Sequence, residues 1–251
     1  MQLPALTPEA LALAGIVALG FVVEAALGFG ATVVVVGLGT LLSPVGPLLA
    51  AFLPLNLLLS SWVVAIDRRH VAWRVLLREL LPRMALGMPI GLLLVRVLPE
   101  RATLRALGAL VIALAVREIL ALRRAHGAPA APLGARTRDV ALVAAGVLHG
   151  AFGVGGPLAV FVAQRRLPEK SAFRSTLSAL WLIANAALVG ALWARGAYDR
   201  ATATTIATLI PATALGLAAG LWLHRALEER AFRRVVLAML LLVGVFRVAV
   251  A

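Results

Sequence analysis

The chain has 251 residues, of which 62% are hydrophobic and only 14% charged, and its mean hydropathy is +1.00. About a quarter of the residues in soluble domains are charged, so this composition indicates an integral membrane protein and excludes a separate soluble domain. A net charge of +13 would suggest nucleic-acid binding in a soluble protein, but here almost every Arg lies in the short segments between apolar runs, which membrane topology explains. The sequence contains no Cys, which excludes disulfides, thiolate catalysis and iron–sulfur ligation.

Ten apolar runs follow one another along the chain. Their length and their high Ala and Leu content predict membrane helices rather than the alternating strands of a barrel. In each half of the chain, two short runs precede three longer ones. We expect no cleaved signal peptide, because residues 1–8 contain no basic side chain and the first run leads into more apolar sequence. The runs lie at about 10–27, 29–42, 47–66, 80–98, 103–120, 140–152, 154–164, 174–194, 203–223 and 233–250.

Glycine-rich breaks separate the two short runs of each half. The first break contains Gly28 and Gly30, and the second is the sequence from Gly153 to Pro157. The backbone freedom of glycine and the missing N–H of proline both interrupt a helix. Each short pair is therefore predicted to form either a re-entrant hairpin or an interrupted helix.

The two halves of the chain are related by an internal duplication, which decides the architecture. A shift of 125 residues places Glu24 on His149 and the glycines of the first break on those of the second. A shift of 129 residues places Asn56 on Asn185. The same shift aligns Pro82 with Pro211, Gly87 with Gly216, Gly91 with Gly220, Glu100 with Glu229 and Arg101 with Arg230.

The distribution of basic residues favours a hairpin that enters and leaves the membrane on one side. With that topology, 18 of the 24 Lys and Arg residues fall on one face, which the positive-inside rule assigns to the cytoplasm. Each half then crosses the membrane an odd number of times, so the second half is inverted relative to the first, as in many transporters. We expect an all-α membrane protein in which each inverted repeat has a Gly-broken short pair and three transmembrane helices. The predicted segments are the first repeat at 1–120, a cytoplasmic linker at 121–138 and the second repeat at 139–251, with both termini extracytoplasmic.

Each break is predicted to bind a small anion through backbone groups. The second arm of each pair would present its N-terminal amides and the positive end of its helix dipole. In an inverted repeat the two tips can meet around one anion near the middle of the membrane. The alternative is that these glycines only allow helices to pack closely. The residues expected to bind the substrate are Gly28, Gly30, Ala31, Asn56, Gly153, Gly155, Gly156 and Asn185.

Three ionisable side chains, Glu24, His149 and Arg83, are candidates for coupling or polar gating. A charge within an apolar span costs at least about 2.5 kcal/mol unless it is paired or protonated, so Glu24 is either functional or a neutral acid bonded to a neighbouring helix. His149 can change its charge near neutral pH, and its alternative is a hydrogen-bonded core histidine. Arg83 either reaches the substrate cavity or stays at the membrane interface.

The remaining polar and small-residue positions have structural alternatives as well. Asn56 and Asn185 either contact the ligand or join neighbouring helices, because buried amides require partners. The spacing of four residues in the Gly87–Gly91 and Gly216–Gly220 pairs predicts helix-packing sites. Trp62, Trp193 and Trp222 lie near the ends of runs, where aromatic residues form interfacial belts.

No motif in the sequence predicts an enzyme. The patterns H-E-x-x-H and G-x-S-x-G are absent, and no pair of acids lies deep in the apolar runs, where Glu24 stands alone. A dedicated metal site would need several Asp, Glu, His or Cys ligands, and Glu24 with His149 is too few. We therefore expect no catalytic residues, no cofactor and no bound metal.

The glycine-rich sequences resemble those of a known family. The residues H-G-A-F-G-V-G-G-P-L at 149–158, echoed by E-A-A-L-G-F-G-A at 24–31, are similar to the TauE/SafE sulfite-exporter family of membrane permeases, and the likeness covers essentially the whole chain. The first copy departs from the family pattern, since Ala31 and Thr32 replace glycine and no proline follows. The resemblance implies about eight membrane segments in two related halves, and transport of sulfite, sulfonates or other small sulfur-containing anions.

These observations together predict a secondary transporter, either an exporter or a permease, in the bacterial inner membrane. Its expected substrate is a small sulfur-containing anion such as sulfite, thiosulfate or an organosulfonate, and protons are the candidate coupling ion. The expected partners are this anion and the lipid bilayer, with no nucleic acid. The alternative function is an anion channel or a metal-ion permease of similar architecture.

Overall fold

The computed structural model describes residues 7–27, 30–99 and 133–226 continuously, with isolated positions between 101 and 120 and between 241 and 248. Throughout these residues, every regular element is a helix. Gly28 and Phe29 of the first break lie outside the described residues, as do most of the predicted runs at 103–120 and 233–250 and residues 121–132 of the predicted linker. The helices are α1 Pro8–Leu27, α2 Ala31–Gly39, α3 Val45–Asp67, α4 Trp73–Val97, α5 Ala135–Phe152, α6 Gly156–Arg166, α7 Lys170–Trp193 and α8 Arg200–Ala226, and a 3₁₀ turn at Arg68–His70 precedes α4.

Five of these helices, α1, α3, α4, α7 and α8, are long and apolar enough to cross a membrane, judged by length and composition. By contrast, α2 has 9 residues and α6 has 11. At 1.5 Å per residue they measure about 14–17 Å, roughly half the 30 Å thickness of the hydrocarbon layer. Neither short helix can cross the membrane by itself.

The fourth helix begins earlier than its apolar run predicts. The run starts near residue 80, whereas the helix starts at Trp73 and passes through a π-helical stretch at Leu76–Leu80. Leu76, Leu80 and Met84 are each 0% exposed. Their spacing of four residues places them on one face of the helix, so the helix continues through a segment whose other face carries arginines.

The first short helix pair is a hairpin. A Cβ added to Gly20 of α1 would lie 2.6 Å from Val35 Cγ2 and 3.2 Å from the carbonyl oxygen of Ala31, both in α2. Along one continuous helix, residues 20 and 35 would be about 22 Å apart. The chain therefore reverses at the break, and α2 folds back along α1.

The second break is closed by a glycine-dependent helix cap. The Gly153 amide donates to the carbonyl oxygen of His149 at 2.7 Å, and the Val154 amide donates to that of Leu148 at 3.4 Å. The first of these bonds is that of an αL cap, in which the chain leaves the helix through a left-handed residue. Gly153 has φ 68°, a conformation that glycine adopts without steric cost.

The described residues form two compact units. One unit contains α1, α2, α3 as far as Phe52, and α8; within it, α1 packs along α8. The other contains α3 from Leu53, together with α4 to α7; within it, α4 packs along α5. Each unit thus combines helices from both halves of the sequence.

Close packing between α4 and α5 depends on glycines from both helices. A Cβ added to Gly87 would collide with the carbonyl oxygen of Val143, and one added to Gly91 would collide with that of Val147. In return, a Cβ at Gly146 of α5 would collide with the carbonyl oxygen of Met84. The Gly87–Gly91 pair is a helix-packing site, which confirms the sequence prediction.

The packing of α1 on α8 follows the same scheme. A Cβ added to Gly216 would collide with the carbonyl oxygen of Ala18, and one added to Gly220 would lie 2.6 Å from that of Val22. Shifting Ala18 and Val22 by 125 residues gives the two valines of α5 that contact the glycines of α4. The two helix crossings are therefore made by residues at corresponding positions in the two halves of the sequence.

Candidate functional site

The second break brings together five residues, which we call the pocket: His149, Gly155, Gly156, Trp181 and Asn185. His149 lies in the last turn of α5 and is 1% exposed. Its ring stacks on the Trp181 ring of α7, with the ring centroids 5.9 Å apart and the planes at 23°. The packing of α7 against the break thus fixes the position of the imidazole.

Both ring nitrogens of His149 lack a hydrogen bond of ordinary geometry within the protein. The side chain of Asn185 and the backbone of Ala184 and Gly153 lie near the ring. Buried polar atoms almost always have a partner. The imidazole therefore has polar neighbours within the protein, although none of them bonds to it with ordinary geometry.

The two predicted asparagines are bonded to each other. The Asn185 Nδ2 group donates to Asn56 Oδ1 at 2.8 Å, and both residues are 2% exposed. This bond joins α3 to α7, so the helix-joining role is present. However, Asn185 Oδ1 accepts no hydrogen bond of ordinary geometry. The Asn185 side chain that carries this atom lies beside His149.

The start of α6 presents backbone donors to this pocket. Within the described chain, the amides of Gly155 and Gly156 donate to no protein group. A Cβ added to Gly156 would lie 3.9 Å from Trp181 Cζ2, which leaves room beside the ring. Gly155 is much tighter, because its Cβ would lie 2.8 Å from the Ala145 carbonyl oxygen. The positive end of the α6 dipole adds to these donors.

The first break is arranged differently. The amide of Ala31, the first residue of α2, donates to Glu24 Oε2 at 3.2 Å. Glu24 thus reaches across the break and supplies an acceptor to the start of the next helix. Gly30, immediately before α2, has φ 111°. The predicted anion-binding amide at Ala31 is therefore engaged by a carboxylate of the protein itself.

Arg83, the third ionisable candidate, lies in an ion-pair cluster. Its Nε donates to Asp139 Oδ1 at 2.5 Å, and its Nη1 donates to the carbonyl oxygens of Arg78 at 2.9 Å and Glu79 at 3.0 Å. Arg138 Nε also donates to Asp139 Oδ1, at 2.8 Å. The guanidinium of Arg83 therefore holds the start of α5 against α4.

The same cluster continues to the end of α6. Glu79 accepts from Arg166 Nε at 2.9 Å and forms a second bond with Arg166 Nη2. Arg138 Nη1 lies 3.7 Å from Glu79 Oε2. Sequence reasoning missed this charged cluster, although its signal was present: Glu79 and Asp139 are isolated acids in segments rich in arginine.

Trp181 is the other pocket residue that sequence reasoning missed. It is 8% exposed, whereas Trp62, Trp193 and Trp222 are 67%, 71% and 67% exposed, in keeping with positions on the lipid-facing surface. The available signal was its position in the middle of a long apolar run. In the residues that the structure describes, no group of three or more His, Cys, Asp or Glu side chains is arranged to hold a metal ion.

Comparison with known proteins identifies the family. The family model described as sulfite exporter TauE/SafE matches residues 11–247. The chain belongs to this family. It is a membrane transporter or permease, and the resemblance seen in the glycine-rich motifs is confirmed.

A curated relative within TauE/SafE-type transporters supports the same classification. It is the probable inner membrane transporter protein TsaS of Comamonas testosteroni, which is 31% identical over 178 residues. The match covers 70% of this chain and 72% of the relative. No solved structure gives a match.

Proposed function

We propose that this chain is a secondary transporter that moves a small sulfur-containing anion, such as sulfite, thiosulfate or an organosulfonate, across the bacterial inner membrane. Its membership of the sulfite exporter family supports the substrate class. A relative described as a probable inner membrane transporter supports the location. The family is one of transporters, so we propose no catalytic activity.

We further propose that the halves 1–120 and 139–251 form inverted repeats with both termini extracytoplasmic. The reciprocal glycine packing of α1 on α8 and of α4 on α5 supports a duplicated architecture. Asn56 and Asn185 support it independently, because they are bonded and are separated by 129 residues, which is the repeat shift itself. A residue that contacts its own counterpart lies next to the axis that relates the two copies.

The observation that carries the anion-binding proposal is the set of unpartnered polar groups at the second break. The amides of Gly155 and Gly156 stand at the start of α6 beside the buried His149, whose ring nitrogens make no hydrogen bond of ordinary geometry. Amides at a helix start and a positive dipole end bind small anions readily. Neutral donors also suit a transporter, because a substrate held only by dipoles is released more easily than one paired with a buried arginine.

Flux through reconstituted protein tests this function. Purified protein in liposomes is expected to move at least one of sulfite, thiosulfate, sulfoacetate and taurine faster than sulfate or chloride, with protein-free liposomes as the background. If the protein transports none of sulfite, thiosulfate, sulfoacetate and taurine, the proposed substrate class is wrong. Equal movement of all six solutes, including chloride, would instead indicate a channel.

Gly156→Ala tests whether transport depends on the residues of the second break. Its added methyl group fits beside Trp181 without overlap, so a loss of flux reports on ligand approach and not on folding. Gly155→Val is less informative, because that site has no room. Gly190→Ala is the matched control, since nothing lies within 4 Å of its added Cβ. Normal flux through Gly156→Ala would contradict binding at this break.

A further inference from the structure

We propose that the Glu24 carboxylate occupies, in the first break, the place that the transported anion takes in the second. The residue at this repeat position, Glu24 in one half and His149 in the other, then determines which break is open to a ligand. The inference rests on the proposed function and adds to it a specificity-determining position. It also reassigns His149 from gating to direct contact with the ligand.

The first break shows how an oxyanion fits this geometry. Glu24 lies one helical turn before the break, and its Oε2 accepts from the first amide of the following helix, at Ala31, over 3.2 Å. A carboxylate oxygen bonded to such an amide makes the contact that a free anion makes at a helix start. The Glu24 carboxylate therefore mimics an anion bound at the start of α2.

The second break aligns with the first in sequence but lacks the carboxylate, and its Gly155 has φ −79° where the aligned Gly30 has φ 111°. A shift of 125 residues places Ala31 on Gly156, the first residue of α6, and Glu24 on His149. The amide of Gly156 donates to no protein group, and neither nitrogen of His149 makes a hydrogen bond of ordinary geometry, although Asn185, Ala184 and Gly153 lie near the ring. The acceptor present in the first half is therefore missing from the second.

Replacing an acid by histidine reverses the chemistry of the position. A carboxylate only accepts, whereas either neutral tautomer of imidazole donates through one nitrogen. At the second break, an imidazole and a helix-start residue both lie against Trp181: the His149 ring stacks on it, and a Cβ at Gly156 would lie 3.9 Å from its Cζ2. These groups suit an oxyanion head group similar in size to a carboxylate, such as sulfite or a sulfonate. The burial of His149, which is 1% exposed, removes competing water.

Exchange of the two residues tests the inference by isothermal titration of sulfite and sulfoacetate into purified protein in detergent. The wild-type chain is expected to bind one anion. His149→Glu places a carboxylate next to the Gly156 amide and is expected to abolish binding. His149→Gln loses only the imidazole and is expected to weaken binding by about 10- to 100-fold, as for one hydrogen bond to a charged ligand. Thr137→Glu, an exposed site on the same helix, controls for the added charge and should bind normally.

The reciprocal change opens the first break. Glu24→Ala removes the carboxylate from the Ala31 amide and is expected to raise the stoichiometry from one anion to two. Glu24→Gln keeps an acceptor oxygen at the same place and is expected to retain one. The Glu24 variants are expected to gain binding or keep it. They therefore test the inference even if His149→Glu loses binding because it misfolds.

The outcomes separate this inference from the proposed function. Wild-type protein that neither binds nor transports any sulfur anion overturns both. Wild-type transport together with unchanged binding in His149→Glu overturns the inference alone. Unchanged stoichiometry in a monodisperse Glu24→Ala preparation overturns it as well, because the first break would then be closed by something other than Glu24.

Discussion

Asn185 donates its side-chain amide to the carbonyl oxygen of Asn56 at 2.8 Å, across 129 residues of sequence. The bond connects the later part of α3 with α7 inside one compact unit, and both residues are almost fully buried. The two asparagines differ in that the side chain of Asn185, and not that of Asn56, is among the groups that act on the His149 ring.

This difference predicts unequal effects of Asn56→Ala and Asn185→Ala. Either change removes the bond and is expected to cost about 0.6–1.7 kcal/mol, the range for interhelical side-chain bonds in membrane proteins. Asn185→Ala should also weaken anion binding, because it removes a polar atom from beside His149, whereas Asn56→Ala should weaken it less, because Asn56 is not among the groups that act on that ring. Thermal unfolding in detergent and titration with sulfite measure the two effects. Equal loss of affinity in both variants would contradict the assignment of Asn185 to the pocket.

Gly91→Ala is expected to destabilise the protein strongly. Its added Cβ meets the backbone carbonyl of Val147, which cannot move aside like a side chain, so α4 and α5 must separate. Overpacking of this kind typically costs about 1–3 kcal/mol. Gly15→Ala in α1 is the matched control, because nothing lies within 4 Å of that site and alanine is the better helix former. The midpoint of thermal unfolding should fall for the first variant and stay level or rise for the second.

The bond between Glu79 and Arg166 is expected to contribute modestly to stability. Their side chains are 19% and 48% exposed, and pairs at such sites are worth about 0.2–1 kcal/mol. A double-mutant cycle with Glu79→Ala and Arg166→Ala should give a coupling in this range that weakens with added salt. Arg165→Ala is the neighbouring control, because Arg165 bonds to the carbonyl oxygen of Phe161 in its own helix. A coupling as large with Arg165 as with Arg166 would contradict the ion-pair assignment.

Asp199 predicts a dependence of stability on acidity at the start of α8. Its Oδ1 accepts from the Thr202 amide at 2.8 Å, and this backbone bond lowers the pKa of the carboxyl. Since the folded pKa is depressed, the stabilisation is present above the ordinary value of about 3.9 and is lost as the pH falls through the lower folded value. Asp199→Ala should therefore lower the unfolding midpoint at pH 7, and the difference from the wild type should shrink below about pH 4. A constant difference across this range would show that the charge of the cap is unimportant.

Reporter fusions test the predicted topology. A fusion after Arg124 is expected to report the cytoplasm and one at Ala251 the periplasm, because the positive-inside rule places most of the basic residues on the side of the predicted linker. An odd number of crossings in each half requires these opposite locations. Finding both fusion points on one side would contradict the inverted repeat.

The positions of the helix breaks could be predicted from the sequence because they depend on local chemistry. Gly153 ends α5 through a left-handed cap and α2 begins after Gly30, and both features follow from residue type alone. The packing of Gly87 and Gly216 also followed from local spacing. The start of α4 at Trp73 could not be predicted, because it depends on the burial of Leu76 against the rest of its unit.

The candidate site was only partly predictable for the same reason. Its glycines and asparagines were visible as repeated positions. The capping of Ala31 by Glu24 was not, because it requires the chain to reverse so that a side chain meets an amide seven residues later. Trp181 was missed because nothing in a long apolar run distinguishes a tryptophan that stacks on a buried ring from one that faces lipid.

The packing of α1 along α8 has a consequence for biogenesis. α1 ends at Leu27 and α8 begins at Arg200, so the ribosome makes roughly 170 residues between them, which takes roughly 10–30 s at ordinary rates of synthesis. During that time, the carbonyl groups of Ala18 and Val22, against which Gly216 and Gly220 later pack, have no α8 beside them. A chain cut short before α8 would still pack α1 against α2, but the face of α1 at Ala18 and Val22 would lack its partner helix.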